Sequence, residues 1–338
     1  MDRFAYIQPA TPQAVIAALA NHPQAVLKAG GVDLLDLMKE RILTPPTIVD
    51  ISRVAEWSQV TIAPDSGALH LGALVTLAQI AANTNVQTHW PGLSQATVSA
   101  ATPQIRNMAT LGGNLCQRPR CWYFRQEAYP CRKKGGDTCF AQLGENRHHA
   151  IFANYTCTST HPSAAAIPLL AYDARLHILD KTGAERDLPL SQFFLDPERD
   201  VQREHVLSRD EILTAIVIPR LPEGAGSAYL NFKHKLSFDW PSVEVAVVLH
   251  WEGLVVRDAR IVIGSVAPVP LRLHAAEHVL EGNAIDADLA HQAGQDATRG
   301  ATPLAHNAYK VPLLAELVRR TVLKAAGQLP EEDEVMAV

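Results

Sequence analysis

Residues 101–125 read ATPQIRNMATLGGNLCQRPRCWYFR and join a glycine pair to the first cysteines of the chain. The chain's five cysteines are confined to one short stretch, at Cys116, Cys121, Cys131, Cys139 and Cys157. A glycine pair among polar residues is typical of a loop that a phosphate can approach closely, because glycine has no Cβ atom. Clustered thiols are typical of a soft-metal site. This stretch therefore predicts an organic and an inorganic redox centre side by side.

The composition narrows the class of protein. A chain of 338 residues with 47% hydrophobic residues is long enough for two or three cored domains. The net charge of −5 and the absence of a basic run argue against nucleic-acid binding. No apolar stretch approaches the roughly 20 residues that span a bilayer, and the N-terminal sequence has no secretory-signal pattern. An odd number of cysteines favours thiolate ligation over disulfides, so we expect assembly in a reducing compartment.

A second glycine pair, Gly30-Gly31, follows a short predicted strand at residues 25–28 and precedes Asp33. The first pair, Gly112-Gly113, lies between Thr110 and Asn114. Two such loops from different lobes would clamp a pyrophosphate from both sides; the alternative is two ordinary tight turns. Neither has the G-x-G-x-x-G spacing of a Rossmann fingerprint, which disfavours a nicotinamide cofactor on that fold.

The last four cysteines are spaced C-x9-C-x7-C-x17-C. Structural zinc sites usually contain close C-x2-4-C pairs, whereas thiolates scattered along an irregular loop suit an iron–sulfur cluster better. The interspersed aromatic residues Trp122, Tyr123 and Phe124 would exclude water from it, and the basic residues Arg132, Lys133 and Lys134 would offset its negative charge. Two alternatives remain open: free cysteines in an aromatic core, and ligation by one of the nearby histidines, His148, His149 or His161.

The rest of the chain alternates predicted strands and helices. The first 55 or so residues predict a small α/β lobe, in which Thr11-Pro12 begins a helix. A hairpin is expected around residues 181–183, and residues 195–205 are predicted to form an exposed polar loop. Two strands flank residues 252–253, helices follow at 271–280, 286–298 and 307–326, and the acidic tail is expected to be mobile.

Several of these motifs resemble one known family. The segments KAGGVDLLDLMKE (28–40), ATPQIRNMATLGGNLCQRPRCWYFR (101–125), CTSTHPSAAAIPLLAYDA (157–174) and ARIVIGSVAPVPLRLHAAEHVLEG (259–282) resemble the FAD-binding middle subunit of molybdenum hydroxylases, the xanthine dehydrogenase and aldehyde oxidoreductase family. The resemblance is strongest to the bacterial aldehyde oxidoreductase branch, whose flavin subunit carries an extra 4Fe–4S cluster.

The resemblance implies an α+β protein with two parts. A two-lobed FAD-binding domain of the PCMH type, similar to vanillyl-alcohol oxidase, precedes a smaller α+β domain of the CO dehydrogenase flavoprotein type. By this resemblance, lobe 1 spans residues 1–55 and lobe 2 spans 56–225, with the cluster loop at 116–157. The C-terminal domain spans 226–330.

The family's cofactor-binding positions carry over residue by residue. They fall on Leu27, Lys28, Ala29, Gly30, Gly31, Val32, Asp33, Leu34, Ala100, Thr110, Gly112, Gly113, Asn114, Leu213 and Lys233. The cluster ligands match Cys121, Cys131, Cys139 and Cys157, and Cys116 stands where an apolar residue is common. Two positions depart from the family pattern: Val32 replaces a frequent threonine, and Ala164 stands where an aspartate near the flavin is usual.

The resemblance implies an electron-transfer subunit with no catalytic residue of its own. A large partner with molybdenum cofactor would oxidise an aldehyde, a small partner with two 2Fe–2S clusters would relay electrons, and FAD in this chain would pass them to an external acceptor. We expect a heterotrimer assembled in the cytoplasm, with export to the periplasm on a signal-bearing partner as the alternative. The rival functions are the flavin subunit of an aryl-CoA reductase and a non-catalytic metal-binding scaffold.

Overall fold

The N-terminal lobe is built on a small parallel sheet. In the computed structural model, which describes residues 1–235 and 238–329, its strands run in the order β1-β3-β2. In chain order the lobe contains β1 (Ala5–Ile7), α1 (Pro12–Asn21), β2 (Val26–Lys28), α2 (Val32–Lys39) and β3 (Thr47–Asp50). Helix α1 begins as predicted, because the Thr11 hydroxyl accepts a hydrogen bond from the Ala14 N–H and Pro12 occupies the first turn.

The second lobe is an antiparallel sheet with helices on it. Its strands, in the order β4-β5-β8-β6-β7, are β4 (Val60–Ile62), β5 (Leu69–Gly72), β6 (Arg175–Leu179), β7 (Glu185–Pro189) and β8 (Ile212–Ile218). The helices are α3 (Leu77–Ala82), α4 (Thr84–His89), α5 (Pro91–Ser99), α6 (Pro103–Met108) and α7 (Leu111–Leu115). Short 3-10 helices occupy Ala55–Ser58 and Leu190–Gln192. The predicted hairpin around residues 181–183 is confirmed by the β6–β7 pairing.

The cysteine segment, residues 116–161, interrupts this lobe and contains little regular structure. It includes α8 (Trp122–Arg125), a 3-10 turn at Arg132–Lys134 and α9 (Phe140–Leu143), and α10 (Ala166–Ala171) follows it. Backbone hydrogen bonds tie it to the C-terminal domain: Ile151 N–H donates to the Val266 carbonyl, and Thr302 N–H donates to the Ile151 carbonyl. The Asn307 amide also donates to the His149 and Ala150 carbonyls.

The C-terminal domain packs helices on a second antiparallel sheet. Its strands, in the order β12-β11-β10-β9, are β9 (Gly226–Phe232), β10 (Val243–Glu252), β11 (Val255–Gly264) and β12 (Leu271–Arg272). The helices are α11 (His274–Leu280), α12 (Ala287–Asp296) and α13 (Lys310–Ala325). Helix α13 buries Leu314, Val318 and Val322, which recur every four residues on one face. The tail predicted to be mobile lies outside the described residues.

The α+β fold class is therefore confirmed, and two local predictions were wrong. Residues 101–115, treated as a loop, form α6 and α7, because Thr102 and Thr110 each cap a helix with their hydroxyl oxygen. Residues 195–205, predicted to be an exposed loop, are partly buried. The Glu204 carboxylate anchors them, since it accepts hydrogen bonds from Arg118 and Lys133.

Candidate functional site

A cavity of about 940 Å³ lies where the two N-terminal lobes meet. Segments distant in sequence line it, including the two glycine pairs and the end of β9. All the positions that the resemblance indicated for FAD reach this cavity: Leu27, Lys28, Ala29, Gly30, Gly31, Val32, Asp33, Leu34, Ala100, Thr110, Gly112, Gly113, Asn114, Leu213 and Lys233. Ala164, one of the two departures from the family pattern, lines it as well.

The first glycine pair links β2 to α2 at the cavity wall. Gly31 has a φ of 77°, in the left-handed region that favours glycine, and stands at the N-cap of α2 without a side-chain cap. A Cβ atom on Gly30 would lie 1.7 Å from the Met108 carbonyl oxygen, so glycine is required there for the two lobes to meet. The uncapped N–H groups at the start of α2 suit an anion.

The second pair lies in the first turn of α7, and neither glycine has a positive φ. Gly112 fits closely against Ala73, whose carbonyl accepts the Gly112 N–H at 2.8 Å. Gly113 N–H donates to the Thr110 hydroxyl at 3.2 Å, and an added Cβ there would meet only that oxygen. The absence of side chains on this pair therefore brings the α7 backbone close to the cavity without a left-handed turn.

Two lysines line the cavity, Lys28 and Lys233, and each is held by a neighbouring oxygen. Lys28 Nζ lies 2.9 Å from Asp50 Oδ2, and Tyr6 donates a hydrogen bond to the same oxygen. Burial alone raises the pKa of Asp50, but hydrogen bonds from Tyr6, the Ser52 backbone and Lys28 outweigh it and hold the pKa at about 2. Lys233 Nζ donates to the Ser99 carbonyl, and burial lowers the pKa of this lysine.

Sequence reasoning missed two residues that line the cavity, Arg120 and Trp240. The Arg120 guanidinium lies 4.8 Å from the Trp240 ring centroid and 2.8 Å from Asp33 Oδ1. Burial lowers the pKa of Arg120, and Asp33 opposes that shift. Its position between two cysteines, in the run RPRCWYFR, was the available signal, but that run was interpreted for its cysteines and aromatic residues alone.

A second, small cavity of about 20 Å³ lies inside the cysteine segment. The four cysteines indicated as ligands all line it: Cys121, Cys131, Cys139 and Cys157. Cys116 lines the large cavity instead. No group of three or more His, Cys, Asp or Glu side chains in residues 1–235 and 238–329 is arranged to hold a metal ion. The four thiols thus surround a space and do not converge on one point.

The thiols of this small cavity differ in acidity. Cys139 and Cys157 share a hydrogen bond that lowers the pKa of Cys139 to about 5 and raises the pKa of Cys157. Burial raises the pKa of Cys121 to about 11 and that of Cys116 to about 12. As the pH rises, the first of these thiols to become a thiolate is therefore Cys139, which shares its hydrogen bond with Cys157.

The predicted aromatic and basic residues have unequal roles around the small cavity. Phe124 is fully buried and lines it with Tyr123, whereas Trp122 packs edge-on against His148 and His149. Lys133 is buried beside the cavity, with its Nζ 2.8 Å from Glu204 Oε1. Arg132 also lines the cavity but donates to the Asp137 and Thr156 carbonyls, and Lys134 donates to the Tyr123 carbonyl.

The three candidate histidines have different surroundings: His148 and His149 both pack against Trp122, whereas His161 packs against Phe194. His149 is buried, and its Nε2 lies 3.2 Å from Cys121 Sγ. Burial lowers its pKa to about 4, so the ring is neutral at pH 7. His161 is buried against Phe194 with its pKa lowered to about 3, also by burial. His148 packs on Trp122 at the edge of the segment.

Comparisons with known proteins agree with this geometry. The family model described as the FAD binding domain in molybdopterin dehydrogenase matches residues 2–221, and the CO dehydrogenase flavoprotein C-terminal domain matches residues 227–325. The aldehyde oxidoreductase FAD-binding subunit PaoB of Escherichia coli is 33% identical over 96% of this chain and 99% of that protein. The carbon monoxide dehydrogenase medium chain of Hydrogenophaga pseudoflava is 27% identical over 95% of this chain and 96% of that protein.

The solved structures show the same fold. A structure of the Hydrogenophaga pseudoflava carbon monoxide dehydrogenase that lacks the Mo-pyranopterin moiety matches with a TM-score of 0.76 and 25% identity, over 97% of this chain and 99% of that chain. In the part of the chain that the structure describes, no helix is both long and apolar enough to cross a membrane.

Proposed function

This chain belongs to the family of FAD-binding domains of molybdopterin dehydrogenases, and from that membership we propose that it is the FAD-carrying electron-transfer subunit of a molybdenum-dependent aldehyde oxidoreductase. The observation that carries the proposal is the cavity of about 940 Å³ lined by both glycine pairs. The 33% identity to PaoB over nearly the whole chain supports the aldehyde oxidoreductase branch.

The residues around the large cavity fit FAD. The start of α2 has no side-chain cap and can offer its N–H groups to a pyrophosphate, and Gly113 has no side chain to block the cavity wall formed by α7. The ion pair with Asp50 holds Lys28, the last residue of β2, and so positions the chain just before the first glycine pair. Bound FAD would supply the step between one-electron carriers and a two-electron acceptor, while the protein supplies binding and orientation.

We propose further that Cys121, Cys131, Cys139 and Cys157 hold a 4Fe–4S cluster. Three features support this: the thiols surround a common cavity, Phe124 and Tyr123 cover it, and the buried cation Lys133 lies beside it. Each iron of a cubane takes one cysteine thiolate, so the ligands of a cluster stand farther apart than those of a single metal ion. Such a group would supply one-electron chemistry and would also order an irregular segment.

The partners follow from the family. We propose a large subunit that carries molybdenum cofactor and oxidises the substrate, a small subunit with two 2Fe–2S clusters, and an external electron acceptor. Assembly in the cytoplasm is part of the proposal, with export of the folded complex on a partner's signal as the variant for a periplasmic enzyme.

The full-length chain, purified alone without oxygen, tests the proposal. We expect a coloured protein with one FAD and about four iron atoms, which reduces an artificial acceptor from an artificial donor but does not oxidise aldehydes. Aldehyde turnover by the isolated chain would refute the subunit assignment. A colourless protein that retains zinc would favour the scaffold alternative, and reduction of an aryl-CoA by the reconstituted complex would favour the aryl-CoA reductase.

A further inference from the structure

Helix α2, which begins at the first glycine pair, is held by two arginines of the cysteine segment, Arg120 and Arg125. Arg125 Nη2 lies 2.7 Å from Asp33 Oδ1, and Arg125 Nη1 lies 2.7 Å from Asp36 Oδ2. The two carboxylates are three residues apart and share one face of the helix. Arg120 reaches the same two oxygens at 2.8 and 3.6 Å, so Arg125 is the arginine that makes both contacts short, across about one turn of α2.

The position of Arg125 is set by the cysteine segment. Its backbone N–H donates to the Cys121 carbonyl at 3.0 Å, and its Nε donates to the Pro119 carbonyl at 2.9 Å. The Arg125 and Asp33 side chains are 11% and 17% exposed, so their ion pair is largely shielded from solvent screening, whereas the Asp36 carboxylate is half-exposed. Movement of the chain around Cys121 would consequently displace the group that holds α2.

Apolar contacts join the same two elements. Leu37 of α2, Phe124 and Cys131 form one buried cluster, and Leu37 also lines the large cavity. Asp33 Oδ2 additionally accepts the Arg118 N–H at 2.9 Å. Helix α2 thus has one end at the candidate FAD cavity and one side on the segment that carries the candidate cluster ligands.

We propose that occupation of the four-cysteine site and binding of FAD stabilise one another, and that Arg125 is the positioning residue that carries this coupling. The inference rests on the proposed function, because it requires both cofactors. A cluster orders the irregular segment, Arg125 then fixes α2, and α2 presents its N–H groups to the pyrophosphate. By thermodynamic linkage, FAD must favour the cluster-bound state by the same factor.

The test is the dissociation constant of FAD for the full-length chain, measured by flavin fluorescence before and after removal of iron with a chelator and an oxidant. In the wild type, removal of the cluster should weaken FAD binding by about fivefold or more. In Arg125→Gln, where only the Arg120 contacts to Asp33 and Asp36 remain, FAD should bind more weakly with the cluster present, and removal of the cluster should weaken FAD binding less than in the wild type. Arg125→Lys should recover only part of the affinity, because an ammonium cannot bridge two carboxylates as a planar guanidinium does.

A matched control is Arg299→Gln, which breaks a 2.7 Å ion pair with Asp296 in the C-terminal domain and should behave as the wild type. Asp36→Asn, at a half-exposed carboxylate, tests the same contacts if Arg125→Gln does not fold. If iron removal weakened FAD binding equally in the wild type and in Arg125→Gln, or did not weaken it in the wild type, the proposed coupling would be overturned. The proposed FAD and cluster sites would not be affected by that result. A wild-type chain without iron and sulfide would refute the proposed cluster and the coupling with it.

Discussion

The imidazole of His149 points its Nε2 at the Sγ atom of Cys121, 3.2 Å away. The other ring nitrogen, Nδ1, is buried without a hydrogen-bond partner among the described residues. Burial keeps the ring neutral, and a Cys121 thiolate in the proposed cluster could only accept, so in that state the proton would lie on Nε2 and be donated to the sulfur. Hydrogen bonds to ligand sulfurs are one of the means by which a protein sets a cluster's reduction potential.

Replacement of His149 by Phe should make the midpoint potential of the proposed cluster more negative. The donor stabilises the more negatively charged reduced form, and loss of about 1 kcal/mol corresponds to roughly 40 mV for one electron. A redox titration followed by electron paramagnetic resonance measures the shift. The control is His148→Phe, since His148 packs on Trp122. Equal potentials in wild type and His149→Phe would contradict the assigned hydrogen bond.

Serine replacements should separate the cysteines. Cys121→Ser, Cys131→Ser, Cys139→Ser and Cys157→Ser should each lose or degrade the cluster and lower thermal stability, because these thiols line one cavity. Cys116→Ser should keep about four iron atoms, since Cys116 faces the large cavity. Iron and acid-labile sulfide analysis is the measurement. Full iron in the Cys157 variant with none in the Cys116 variant would reverse the ligand assignment.

Side chains of increasing size at Gly113 should progressively release FAD. Gly113→Ala adds a Cβ that meets only the Thr110 hydroxyl, so we expect a small loss, whereas Gly113→Val should lose most of the flavin. Iron content should stay near that of the wild type in both. The ratio of flavin to protein and the near-ultraviolet circular dichroism give binding and fold separately. Full flavin occupancy in a folded Gly113→Val would show that α7 does not face the pyrophosphate.

Asp50 should make stability depend on pH in the acid range. Its folded pKa of about 2 lies below the ordinary value of 3.8, so its contribution is complete above pH 3.8 and is lost as the pH falls through about 2. Asp50→Asn should therefore lower the free energy of unfolding by about 1–3 kcal/mol at neutral pH, and the difference from the wild type should shrink in acid.

Urea denaturation at several pH values measures this difference. Asp65→Asn, at an exposed carboxylate between β4 and β5, is the control and should show almost none at any pH. A difference for Asp50→Asn that is the same at neutral and acid pH would contradict the low pKa of Asp50.

The sequence motifs predicted which residues line the large cavity better than they predicted the backbone shapes of the two glycine segments that form it. Gly30, Gly113 and Lys233 were chosen by resemblance, and all three reach the same cavity. The shapes of the two glycine segments were not predicted equally well, because glycine serves both a left-handed turn, as at Gly31, and a close helix contact, as at Gly112. Only the neighbouring backbone of Met108 and Ala73 distinguishes these uses.

The ion pairs around the cysteine segment could not be predicted. Asp33 and Arg125 are separated by 92 residues, and Glu204 lies 86 residues beyond Arg118. No local sequence pattern indicates the partner of any of these charges, and Asp33 was assigned to the FAD loop without an ion-pair partner. Their pairing depends on how three segments fold over one another.

The hydrogen bonds from Asn307 and Lys310 back to the His148–Ala150 backbone have a consequence for biosynthesis. They join atoms 157 to 162 residues apart, and they buttress the stretch that leads from His149 to Cys157. A ribosome-bound chain that has emerged only through Cys157 contains all four thiols but lacks the helix α13 and the loop before it that hold them in place. If the four thiols hold the proposed cluster, its insertion should follow synthesis of α13, and chains stalled before that helix would present the thiols without the contacts that support His148–Ala150.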